Sequence, residues 1–166
     1  MSILLLYPQR KKRYINLVTN GNFNNGTLGW VGTSVTGFTV SNNVASFTAT
    51  ATNGLIGQNI NMIINHIYYL KVSINSTSTL VNFNIAGLGG SYSDGSGTYK
   101  TVSRVLTWTP ATGSWQASVK DTRTSGWNVI YVQNIMVVDL SATFGVGSEP
   151  SQAWCDANIN INMVKM

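Results

Sequence analysis

Charge is what this 166-residue sequence has least of: five Asp or Glu, ten Lys or Arg and a single His, 9% charged residues in all. Soluble domains ordinarily carry about 25%. A helical bundle is a poor expectation from such a composition, because helix surfaces are built from Glu, Lys, Gln and Arg. A coat of Asn, Ser, Thr and Gly, with many β-branched and aromatic residues, favours strands and turns. Cysteine occurs once, at Cys155, which excludes an internal disulfide and a cysteine-built zinc site. No run approaches the 18 or so apolar residues of a membrane-spanning helix, so a soluble chain with no membrane partner is expected. The opening "MSILLLYPQRKKR" puts its apolar residues before its basic ones, the reverse of a secretory signal.

Groups that move protons are equally scarce. A glycosidase needs two carboxylates facing one bond. Asp94 lies in "SYSDGSG", where Asp-Gly is a turn signal, and Asp121 stands two residues from Arg123, a spacing read here as a surface ion pair. His66 falls at a turn before a strand and reads as a capped or solvated residue. Cys155, beside Trp154, reads as a buried thiol. The stretch "GLGGSYSDGSG" lacks the Lys-Ser/Thr end of a phosphate loop and reads as a long hairpin loop. No catalytic residue, no cofactor and no enzymatic activity are expected.

The formal charge of +5 is concentrated in Arg10, Lys11, Lys12 and Arg13; from Tyr14 onward six basic residues face five acidic ones. Nucleic-acid binding through phosphates spreads basic residues over a face, and this body lacks that spread. Three parts separate by composition: an apolar and basic arm over residues 1–14, a strand-rich region over 15–140, and a different segment over 141–166. The arm, interrupted by Pro8, is an edge strand, a disordered terminus or an anchor. In the middle region, short strands are expected near 14–19, 35–50 (a hairpin turning at Asn42 and Asn43), 55–60, 66–75, 79–86, 98–108, 115–120 and 128–140. In "YYLKVSIN", Tyr68, Leu70, Val72 and Ile74 alternate with polar residues and belong on a core face. The last strand is apolar at both parities, the mark of a strand covered on both sides. After it, a short helix is expected from Pro150 to about Ala157, and the tail "NININMVKM" alternates in a way that allows one more strand.

The stretch "NLVTNGNFNNGTLGWVG", residues 16–32, can reverse twice at its Asn-Gly pairs, with Phe23 and Trp30 as buried pegs. It resembles the start of galactose-binding-like jelly-roll carbohydrate-binding modules, and "NHIYYLKVSIN" and "YVQNIMVVDL" are similar to later strands of that family. The resemblance covers about residues 15–140 and implies a jelly-roll β-sandwich with a short C-terminal helix. Many members hold a structural calcium with a Glu after the Phe and an acidic residue in the last strand. Here Asn24 and Gln133 stand at those positions, and since Ca²⁺ prefers charged oxygens no tightly held metal is expected, Asp139 being the nearest remaining carboxylate. The segment "DLSATFGVGSEPSQAWCDANI", residues 139–159, resembles one found in structural proteins of bacteriophages and prophages of Gram-positive hosts.

Together these resemblances imply a bacteriophage virion protein on the outer surface of the particle: a capsid decoration or head-fibre protein, or a minor tail protein. Its expected partners are major capsid or tail subunits, host cell-surface glycans and further copies of itself. The alternative is a free-standing glycan-binding module of a host-surface adhesin or lysin. Sugar recognition requires flat aromatic faces beside amides and hydroxyls, and the candidates are Tyr92, Trp115, Trp127 and Asn128. The competing assignment for Trp30, Trp108 and Trp115 is the core. The candidates for virion anchoring are Ile3, Leu4, Leu5 and Leu6, with Arg10, Lys11, Lys12 and Arg13.

Overall fold

The computed structural model describes residues 14–165; the anchoring candidates Ile3 to Leu6 and Arg10 to Arg13 lie outside them. In chain order the elements are β1 (Tyr14–Ile15), β2 (Val31–Thr33), β3 (Val35–Ser41), β4 (Val44–Ala49), β5 (Gly54–Met62), β6 (Ile67–Asn75), β7 (Val81–Ile85), β8 (Leu88–Tyr92), β9 (Tyr99–Thr107), β10 (Gly113–Asp121) and β11 (Ile130–Asp139). The helices α1 (Leu140–Phe144) and α2 (Gln152–Asn158), a 3₁₀ turn (Ile161–Met163) and β12 (Val164–Lys165) follow. Two five-stranded antiparallel sheets make the expected jelly-roll sandwich. Sheet I runs β2-β5-β10-β7-β8 and sheet II runs β3-β4-β11-β6-β9, while β1 and β12 pair separately and in parallel.

Period-two alternation builds the main core. Tyr68, Leu70, Val72 and Ile74 of β6 point into it, as do Ile56, Ile60 and Met62 of β5, Phe83 of β7 and Val119 of β10. Strand β11 is covered on both sides only in its second half, beyond a bulge. Ile130 and Val132 face the main core; the register then shifts between Gln133 and Met136, with Asn134 in the left-handed region at φ 57°. The extra residue changes the parity, so Ile135 and Val137 face the main core while Met136 and Val138 point outward. They enter a second cluster with Tyr14, Tyr69, Leu140, Cys155 and Ile159. The C-terminal segment is thus packed on the outer face of sheet II.

The residues of "DLSATFGVGSEPSQAWC" clasp that segment to the sheet. The Asp139 carboxylate caps α1 by accepting from Ala142 N (2.8 Å) and meets His66 Nδ1 at 2.8 Å. The Ser141 hydroxyl accepts from Ile67 N (2.8 Å) and donates to Glu149. Phe144 stands edge-on to Trp154 at 5.5 Å, and the Tyr69 hydroxyl donates to Asp156 at 2.7 Å. Gln152 lays its amide along β9, donating to Ser103 O (3.1 Å), and so blunts a free sheet edge. Helix α1 was not anticipated from sequence, and the clasp that holds it gives the motif a structural role.

The glycine-rich "GLGGSY" is a strand, not the expected loop: β8 pairs with β7, and Gly89 suits its place because its φ of 72° lies in the left-handed region. The loop over residues 16–30 is organised by two asparagines. The Asn16 amide bonds to Ile135 O (3.0 Å) and Val137 N (2.8 Å) at the bulge. Asn20 donates to Gly26 O (2.9 Å) and Leu28 O (3.1 Å) and accepts from Asn25 N (3.1 Å). Phe23 and Trp30 are both buried, 5.4 Å apart. A Cβ on Gly21 would lie 2.1 Å from the Ile135 carbonyl oxygen, backbone that cannot step aside cheaply. Gly21→Ala is expected to destabilise the fold by about 1–3 kcal/mol, read as a lower denaturant midpoint; an unchanged midpoint would contradict this docking.

Candidate functional site

The outer face of sheet I is polar, and strand register assembles it. Asn59 of β5 pairs with Gln116 of β10, and Asn61 with Ser114. Ser118 pairs with Asn84 of β7, and Lys120 with Asn82. Asn82 in turn pairs with Tyr92 of β8. All these side chains point away from the core, since Ala117, Val119 and Phe83 occupy the opposite parity. Small residues keep the surface shallow. Gly57 lies between β2 and β10, and Gly90 leaves room for the Tyr92 ring, whose Cε2 would lie 3.1 Å from a Cβ there.

The floor of this groove is Asn82, Asn84 and Ser118, all buried. Asn84 donates to Asn82 Oδ1 at 2.5 Å and accepts from Gly87 N at 2.8 Å. The Asn82 Nδ2, the Ser118 hydroxyl and the side chains of Asn59, Asn61 and Gln116 have no hydrogen-bond partner among the described residues. Tyr92, 55% exposed, supplies a flat aromatic face at one edge. Amides with both donor and acceptor ends beside an aromatic ring match a ligand with an apolar C–H face and a rim of hydroxyls.

The four sugar-binding candidates from sequence do not share one surface. Tyr92 lies on the groove. Trp115 points the other way, packs against the main core beside Trp108 at 5.4 Å, and donates its indole N–H to Ala111 O (3.0 Å). Its alternation with Ala117 and Val119 carried that signal. Trp127 and Asn128 sit in the loop between β10 and β11, where Trp127 Nε1 donates to Arg123 O (3.3 Å) and Asn128 to Thr77 Oγ1 (3.1 Å). Sequence reasoning missed Asn59, Asn82, Gln116 and Ser118, because amides and hydroxyls coat the whole chain and only the register selects these.

Each of the five carboxylates has a structural partner. Asp94 caps its own turn at Ser96 N (3.1 Å) and lies 3.8 Å from Lys100. Asp121 is paired with Arg123, as expected, but it is wholly buried and not on the surface. Asp139, Glu149 and Asp156 belong to the clasp. His66 is partly buried against Asp139. The calcium positions fit that cation poorly. Asn24 is an exposed loop residue, Gln133 lies opposite Ser73 on sheet II, and among the described residues no three His, Cys, Asp or Glu converge.

Three buried acids in and near the clasp titrate late. Burial, with the Asp156 carboxylate adding to it, pushes the Cys155 thiol up to about 11. Burial lifts the Tyr68 phenol to about 12 and raises Tyr69, where Asp156 again adds. The unfolded chain therefore releases these protons first, so the folded state holds more protons above about pH 9 and stability falls as pH rises. Below that pH both states keep the protons and these groups contribute nothing to the pH dependence. The melting midpoint is expected to drop between about pH 9 and 12, and Tyr69→Phe to soften the drop; a midpoint flat to pH 11.5 or so would contradict it.

The fold that carries this groove is that of carbohydrate-binding modules. A CBM4 structure matches with a TM-score of 0.60 at 15% identity, covering 74% of this chain and 99% of that one. The second N-terminal cellulose-binding domain of β-1,4-glucanase C from Cellulomonas fimi matches at 0.55 and 11%, covering 76% and 95%. A family 16 carbohydrate-binding module matches at 0.50 and 18%, covering 75% and 100%. No protein-family model matches the chain, and no curated protein matches it by sequence. At these identities the likeness is one of fold.

Proposed function

We propose that the chain is a non-catalytic glycan-binding protein that a bacteriophage displays on the outside of its particle, as a capsid decoration or head-fibre protein or a minor tail protein. The observation that carries the binding reading is the outer face of sheet I, where Asn59, Gln116, Ser118 and Asn82 present polar groups unused by the fold beside Tyr92. Among the described residues no buried side-chain polar atom lacks a partner, so the unpaired groups of this face are open to solvent and free to bond a sugar's hydroxyls in place of water. With Lys120 the one charged side chain that the pairing sets on that face among the described residues, a neutral polysaccharide is the ligand class.

The phage setting is supported by the resemblance of residues 139–159 to phage structural proteins. The arm with Ile3 to Leu6 and Arg10 to Arg13 is the proposed grip on a capsid or tail subunit, and many copies turn weak single contacts into avidity. Two measurements test the reading. Tyr92→Ala is expected to weaken glycan-array binding by roughly tenfold, about 1.4 kcal/mol, without lowering the melting midpoint. Density-gradient particles are expected to contain the chain, and particles free of it would favour the free-standing adhesin or lysin module.

A further inference from the structure

The C-terminal clasp covers one end of the outer face of sheet II and leaves the other open. On the open part the register sets Tyr99 of β9, Asn75 of β6 and Tyr131 of β11 side by side. The tyrosines are 44% and 40% exposed and flank an Asn75 amide that has no partner among the described residues. The next row holds Thr101, Ser73 and Gln133, with the first two hydroxyls 2.7 Å apart. Beyond it, where the chain after α2 crosses the sheet, a pocket of about 140 Å³ opens between Lys71, Asn134, Asn160, Met136 and Ile161. The β11 bulge places Asn134 there. Lys71 Nζ donates to the Ile159 carbonyl at 3.4 Å and lies 6.0 Å from the centre of the Tyr69 ring, and it has no carboxylate partner among the described residues.

We propose that this face is a second glycan-binding surface, one that takes a short oligosaccharide ending in a carboxylate-bearing sugar. Tyr99 and Tyr131 lie under its rings, the Asn75 amide and the Ser73 and Thr101 hydroxyls meet its hydroxyls, and the Lys71 ammonium meets the carboxylate. From Asn75 to Lys71 the strand advances four residues, roughly 13 Å at about 3.3 Å each, a span for a few rings. The pocket is far below the roughly 300–1,000 Å³ of sites that engulf a drug-sized ligand, so it receives one terminal residue of a chain that lies on the sheet. Charge decides the class: an ammonium among hydroxyls and amides gains a charge-assisted hydrogen bond from an anion and little from a neutral sugar. The site is independent of the sheet I groove and lies on the opposite side of the sandwich, so both can be filled at once.

Amide shift mapping of the full chain with trigalacturonate, 3′-sialyllactose and the neutral maltotriose tests this. At least one acidic probe is expected to shift Ser73, Asn75, Thr101 and Asn134, with the sheet I strands unmoved and affinity falling as salt rises. Lys71→Met, which keeps the stem length, is expected to weaken that probe at least tenfold while leaving the unliganded spectrum outside the pocket intact. Tyr99→Ala with Tyr131→Ala is expected to do the same. The proposal is overturned if neither acidic probe shifts these residues, if maltotriose binds them as tightly, or if Lys71→Met binds the acid undiminished.

Discussion

A chain truncated after Asp139 is expected to lose about 5–9 kcal/mol of stability and to aggregate or populate a molten state. The clasp covers Tyr69, Met136 and Val138, all essentially inaccessible in the whole protein, and burying such side chains contributes about 1.5–3 kcal/mol each. A loss of that size approaches the whole stability of an ordinary domain, about 5–15 kcal/mol. The exposed face would also be apolar and flat beside the edge strand β9, now without Gln152 across it, which favours edge-to-edge association. Calorimetry and dye binding read the outcome. Truncation combined with Tyr69→Thr, Met136→Thr and Val138→Thr is expected to restore much of the solubility, because the face then needs no cover. A simple truncation that melts where the full chain does would show that the clasp is an appendage.

Asp121→Ala is the point substitution expected to do most damage. Asp121 sits at the end of β10 on the core face, opposite Gly54 and Val81, with no exposure at all. Arg123 meets it through Nε at 3.0 Å and Nη2 at 2.6 Å, and spends Nη1 on Gly126 O at 2.8 Å, which closes the loop that carries Trp127 and Asn128. Removing the carboxylate strands a guanidinium that is only 11% exposed; breaking a buried pair in this way costs about 3–5 kcal/mol. For a domain of this size that is a fall of about 6–20 °C in the melting midpoint. The paired change Asp121→Leu with Arg123→Met is expected to cost less than Asp121→Ala alone, since no charge is then left unpaired. Equal losses from the two would mean that packing at this corner matters and the ion pair does not.

Much of the sandwich was legible because period-two alternation is a physical requirement of a sheet with one buried face. Tyr68, Leu70, Val72 and Ile74 announced their side, and the doubly apolar β11 announced a cover on both. The bulge that flips its parity, and the clasp that supplies the second cover, were not legible, since left-handed Asn134 looks in sequence like any other asparagine. Strand β8 was hidden by Gly89 and Gly90, residues that weaken strand propensity, although the φ of 72° at Gly89 favours glycine there. The same alternation that was applied to β6 assigns Trp115 and Asp121 to the core when carried into "WQASVKD". The groove was the least legible part. Asn59, Asn82 and Gln116 come from three strands, and in a chain coated with neutral polar residues only the pairing register distinguishes a binding amide from a solvated one. Tyr99 and Tyr131 are likewise joined only through the position of Asn75 between them.

The central claim is that the outer face of sheet I binds a neutral glycan chain. Its most direct measurement is amide and side-chain-amide shift mapping of the full protein against soluble β-1,4-linked hexasaccharides of glucose, xylose, mannose and N-acetylglucosamine. The expected result is that at least one of them moves Asn59, Asn82, Gln116, Ser118 and Tyr92 together, along with the Asn and Gln side-chain amides of that face. If none moves them, or if the shifts gather on other surfaces, the account is contradicted.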